Sequence, residues 1–206
     1  MIATYDELKT AVANWLGRSD LTSRIPEFIS LAEARLSREI ETREQEKRAT
    51  ANTVADDAYI LLPTDLREVR SVQLNTSPRS VLRFLTPAEI EREYPSNVGG
   101  KPRAYSVVGK EIKLAPTPDA VYTVEITYST GVSALSGSNT TNWVLTRYPD
   151  VYLYSSLSAA SIYLVDDERA AGFEALAQRA IEEIKLDEQR AKFGGQIAIR
   201  SEYGEV

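Results

Sequence analysis

Cysteine and histidine are both missing from this chain of 206 residues. Without cysteine there are no disulfides, thiolate metal sites or cysteine nucleophiles, and the redox compartment is not readable from cysteine usage. Without histidine, the commonest general base and the commonest metal ligand are gone, so serine–histidine triads and histidine-bound zinc or iron are excluded. Any catalysis would fall to carboxylates, lysine, tyrosine or a hard metal. Basic charge is also in deficit: 24 Lys and Arg face 30 Asp and Glu, a net charge of −6. A protein that grips nucleic acid clusters its cations to neutralise phosphates, whereas here the two signs are interleaved. No apolar run approaches the roughly 20 residues that span a bilayer. The start of the chain turns polar and acidic at Asp6-Glu7, unlike a signal peptide. A soluble protein made in a cytoplasm is expected.

What is present is ordinary for a globular protein, with 43% hydrophobic and 26% charged residues, and is enough to bury a core without staples. The first 48 residues read as helical. Thr4-Tyr5-Asp6-Glu7 has the form of a capping box, and Leu8, Val12, Trp15 and Leu16 share one helical face before Gly17. A second helix is expected from about Ser23–Pro26, with Ile25, Phe28, Ile29, Ala32, Leu36 and Ile40 on its buried stripe. Glu33, Arg35, Arg38, Glu39 and Arg43 fall on its other side and are read as a solvated face.

Between about 50 and 130 the period shortens to that of strands. Tyr59–Leu62, Arg70–Asn75, Val81–Leu85 and the hairpin Arg103–Ala115 around Val108-Gly109-Lys110 read as strands. Val121–Ser129 is the clearest, with Tyr122, Val124, Ile126 and Tyr128 alternating against Thr123, Glu125 and Thr127. Thr86-Pro87-Ala88-Glu89 starts one short helix inside this region. After a polar loop over 131–141 the helical period returns, from Pro149 to Leu164 and again from Asp166-Asp167 to Ile184. The expected fold class is α+β: a helical bundle made by both ends of the chain, with an inserted small antiparallel sheet. One domain over 1–193 is expected, with helices in 4–48 and 142–193 and the β insertion at about 50–130.

Three groups of side chains deserve weighing as sites. Asp56-Asp57 and Asp166-Asp167-Glu168 are the densest carboxylates and could suggest a magnesium-dependent nuclease. Both sit between elements, where aspartate caps helices and fills turns, and that reading is preferred. Trp143, Tyr148, Tyr152 and Tyr154 could stack bases, with Tyr148 and Tyr152 four apart on a helical face. They lack a basic groove, so core packing and subunit contact fit better. Past Gly194-Gly195, the segment Gln196-Ile197-Ala198-Ile199-Arg200 alternates weakly. With Tyr203 it is expected to form a docking tail over 194–206, the glycines acting as hinge and the rest lying against a neighbouring protein as an added strand.

Three stretches in order carry a resemblance. They are Tyr59-Ile-Leu-Leu-Pro-Thr-Asp-Leu-Arg-Glu-Val-Arg-Ser-Val, then Lys101-Pro-Arg-Ala-Tyr with Val108-Gly-Lys-Glu-Ile-Lys-Leu-Ala-Pro-Thr-Pro-Asp and Val124-Glu-Ile-Thr-Tyr, then Asn142-Trp-Val-Leu-Thr-Arg-Tyr-Pro-Asp-Val-Tyr-Leu-Tyr. Together with Ala159-Ala160 and Asp166-Asp167-Glu168-Arg169 they resemble the adaptor, or head–tail connector, proteins of short-tailed phages, the tail tubular protein A type, over about residues 4–192. The resemblance implies a structural virion protein and not an enzyme, with no cofactor. It implies a dodecameric ring in the neck, between the capsid portal and the tail nozzle or other tail proteins. Double-stranded DNA would be passing cargo, and no membrane would be involved. Apart from the resemblance, which does not extend to it, the tail beyond Gly194 is expected to dock on the portal, and the charged helix faces around Arg35, Arg38 and Arg43, with the β insertion, are candidates for the contact surfaces. The rival readings are a tail-completion or stopper protein of another tailed phage, and a carboxylate–metal phage nuclease.

Overall fold

A computed structural model describes residues 2–96 and 99–192. In chain order, α1 (Tyr5–Leu16) and α2 (Ile25–Glu39) lead through a 3-10 turn (Arg43–Gln45) into β1 (Glu46–Asn52), β2 (Tyr59–Leu61), β3 (Leu66–Leu74), β4 (Ser80–Val81) and β5 (Arg83–Phe84). Then come α3 (Pro87–Glu93), β6 (Ala104–Val108), β7 (Glu111–Ala115) and β8 (Thr123–Thr130). Helices α4 (Trp143–Arg147), α5 (Pro149–Tyr163) and α6 (Asp167–Lys192) follow. The class is mixed α+β. The chain divides into two compact units, one of Met1–Glu44 with Val132–Val206 and one of Gln45–Gly131.

In the first unit local chemistry sets the helix ends. Thr4 accepts from the Glu7 amide while the Glu7 carboxylate reaches back, and Gly17 ends α1 at φ +65°. Helix α5 is buried almost all round, because Ser155, Ser156, Ser158, Ala160 and Ser161 are small enough for close packing on several sides. One core joins Leu8 and Val12 of α1, Phe28, Ile29 and Leu36 of α2, Val144 and Leu145 of α4, Tyr152 and Leu157 of α5, and Ile181 and Ile184 of α6. Each such aliphatic side chain contributes about 1.5–3 kcal/mol of burial free energy.

The second unit holds two four-stranded sheets, where the sequence led to one. Their orders are β1-β8-β3-β4 and β2-β7-β6-β5. All pairings are antiparallel except β5 with β6, which is parallel. The inner faces share a core: Val72, Leu74, Val124, Ile126 and Tyr128 from the first sheet, Ile60, Tyr105, Ile112 and Leu114 from the second. Strand β8 turns Val124, Ile126 and Tyr128 into the core as expected, but its other face is not wet throughout, since Glu125 and Ser129 are buried as well. Its outward Glu125 is not bare, since Gln73 Nε2 and Asn75 Nδ2 donate to it at 2.8 and 3.3 Å. Those amides and the nearby Arg48 and Arg79 hold its carboxyl below the usual range. Helix α3 lies on the opposite face of the second sheet, where Ile90 packs with Leu85, Ala104 and Ala115.

Strand β1 corrects a boundary. Glu46–Asn52 begins inside the stretch read as helix, and it pairs along its whole length with β8. Its only apolar residues are Ala49 and Ala51, whose small side chains face the core opposite Ile126 and Val124. No large alternating residues betray it.

Candidate interaction surfaces

One aspartate of each acidic cluster serves the backbone. Asp166 Oδ1 accepts from the Arg169 amide at 3.2 Å and caps α6, and Asp57 Oδ1 accepts from the Tyr59 amide at 2.9 Å at the entry to β2. Among the described residues no group of three or more potential ligands converges as a metal site. No described helix is long and apolar enough to cross a membrane.

The aromatic series is dispersed within the first unit. Tyr152 is fully buried. Trp143 and Tyr148 meet edge to face with centroids 6.5 Å apart, and Tyr154 packs on Trp15 at 6.1 Å. Tyr148 ends α4 and precedes α5, so it shares no helical face with Tyr152, contrary to the four-residue spacing argument. The proline at 149 separates them.

The charged side of α2 is solvated only in part: Arg38 and Arg43 are exposed and Arg35 and Glu39 half-buried, but Glu33 is neither. Glu33 is buried and carries the segment that returns from the strands: its Oε1 accepts from the Leu135 amide at 2.7 Å and from the Tyr152 hydroxyl at 3.4 Å. Asn142 extends the network, donating from Nδ2 to Tyr152 Oη at 2.6 Å and to the Ser133 carbonyl at 2.7 Å. Its Oδ1 meanwhile caps α4 by accepting from the Leu145 amide at 2.9 Å. One turn on, Ser37 Oγ accepts from the Val132 amide at 3.1 Å. Burial raises the Glu33 carboxyl above its ordinary value, and burial likewise raises the Tyr152 phenol.

Arg35 forks onto α6. Its Nη1 and Nη2 donate to the two oxygens of Glu174 at 2.7 and 2.6 Å, and its Nε to Glu39 at 2.7 Å. Glu174 is held below the usual carboxylate range by that guanidinium. The Arg43 amide and Nε both reach Glu188 Oε1, at 3.1 and 3.2 Å. Two of the three arginines singled out as interface candidates thus already fasten α2 and its C-terminal flank to α6. Arg38 lines a groove of about 460 Å³ with Leu31, Ala32, Ser155 and Ile162. The docking-tail residues Gly194, Gly195, Gln196, Ile197, Ile199, Arg200 and Tyr203 lie outside the described residues.

Charge separates between the units. Residues 45–131 hold eleven Lys and Arg against eleven Asp and Glu, so the net −6 belongs entirely to the helical unit. Neither unit has the basic excess of a phosphate-gripping surface. An exposed apolar pair of the β unit that sequence reading did not mark is on the edge strand β2 of the second sheet, where Leu61 is 74% exposed and Tyr59 lies two residues away on the same face.

The family model described as SU10 adaptor protein matches residues 3–200, spanning both units. The chain belongs to the SU10 adaptor protein family. No curated protein matches it. As an SU10 adaptor it is a phage structural component, not a member of an enzyme family, and virion proteins are its expected partners.

Proposed function

We propose that this SU10 adaptor forms a ring, dodecameric by the resemblance, that joins the portal to the tail in the virion neck and continues the DNA channel. The family match over residues 3–200 carries this reading. The charge distribution supports it: an acidic helical unit and a neutral β unit let DNA pass without holding it. A ring of identical copies uses heterologous contacts, in which one face of each copy fits a different face of the next. Arg38 and the groove beside it are the proposed subunit contact on the helical unit. Arg35 and Arg43 contribute to it from positions already braced against α6. Free copies stay monomeric until a portal templates them. Light scattering on the purified protein, alone and mixed with portal rings, tests this. A monomer alone and a large complex with portal are expected, whereas a stable ring without portal removes the templating step.

A further inference from the structure

Strand β2 is an edge strand of its sheet, and its register fixes which backbone groups are open. Tyr59, Ile60 and Leu61 pair with Lys113, Ile112 and Glu111. The ladder extends one residue at each end, since the Leu62 amide donates to the Lys110 carbonyl at 2.9 Å and the Leu114 amide to the Ala58 carbonyl at 2.7 Å. Residues 58, 60 and 62 therefore turn their backbone groups to β7, and 59 and 61 turn theirs outward. Asp57 occupies the Tyr59 amide. The Leu61 amide and the carbonyls of both residues face the free edge.

The side chains do nothing to guard that edge. Leu61 is 74% exposed and Tyr59 44%, both on the outer face, with no lysine or proline in the strand. The other edges are protected: β1 carries Glu46, Lys47 and Arg48, while β4 and β5 are two residues each. An apolar, unguarded edge is a template for an added strand.

We propose that Gln196–Arg200 of a second copy adds to the free edge of β2 as an antiparallel strand, linking each copy of the ring to the next. This rests on the ring reading above. Ile197 and Ile199 have the same two-residue spacing as Leu61 and Tyr59, so one register sets Ile197 beside Leu61 and Ile199 beside Tyr59. That antiparallel register brings Arg200 next to Asp56-Asp57, which form no ion pair among the described residues. Every copy owns one edge and one such segment, so each gives a strand and receives one, the arithmetic of a closed heterologous ring.

The test exploits the absence of cysteine. The full chain bearing Tyr59→Cys and Ile199→Cys is assembled with portal rings, oxidised and run without reductant. Directly paired antiparallel residues bring Cα atoms to about 5.5 Å, within disulfide reach. A ladder of linked copies is expected. Adding Leu61→Pro, which removes only an outward-facing amide, lowers the yield about tenfold. So does adding Ile197→Asp, which leaves the β2 edge itself unchanged. Rings without the ladder overturn the strand and leave the ring reading intact, as does a link closed within single copies. Rings without the ladder in which portal protects residues 196–200 from proteolysis assign the segment to portal instead. No rings and no ladder bring down both.

Discussion

Glu33 shows most sharply what one side chain does in this protein. Its carboxylate is buried on α2 with hydrogen bonds from Leu135 and Tyr152 but no ion-pair partner among the described residues. Burial raises its folded-state pKa, so the folded protein binds this proton more tightly than the unfolded chain. A carboxyl shifted upward costs stability above its unfolded value of about 4.3, and the cost grows as pH rises through the raised folded value. Glu33→Gln keeps an acceptor for both donors and removes the ionisation. In denaturant unfolding from pH 4 to pH 8 the variant is expected to gain on the parent as pH rises, with the smallest difference at pH 4. A constant difference across that range contradicts the assignment. None of this was legible from sequence, where Glu33 sat among arginines on a polar stripe. Its partners come from residues 102 and 119 positions away.

At the scale of elements, the readable parts were those whose cause is local. The capping boxes at Thr4 and Thr86 formed as read, because each satisfies helix-end amides within four residues. Strand β8 and the hairpin of β6 and β7 also formed as read, from alternation and a glycine at φ +63° in Gly109. Strand β1 was hidden because two alanines suffice where β8 already fills the core. The division into two sheets was hidden because β2 pairs with β7 and β3 with β8, pairings set by packing at long range. The α2–α6 brace belongs to the same class. Arg35→Ala removes the fork onto Glu174 and is expected to destabilise the isolated protein by about 1 kcal/mol, discounted because Glu174 is half exposed. Chemical denaturation at low and at high salt checks it, with the loss shrinking in salt. A stability unchanged by Arg35→Ala, together with lost assembly, means that the residue serves the interface alone.

For the whole molecule, composition excluded histidine- and cysteine-based chemistry and made a DNA-gripping role improbable. Only the ordered stretches from Leu62-Pro63 through Pro116-Thr117-Pro118 to Asn142-Trp143 pointed to an adaptor. In the fold these stretches do structural work. The first two supply β2, β3, β6 and β7, and the third supplies Asn142, which caps α4 and ties down Tyr152. They build the scaffold, and its surfaces were least legible because nothing within one chain names what meets them. The central claim is that copies of this scaffold stack on the portal as a ring. Negative-stain images of the purified protein mixed with portal rings test it most directly. A second ring stacked on the portal, coaxial with its channel, is the predicted result, and portal rings that remain single at saturating protein would contradict it.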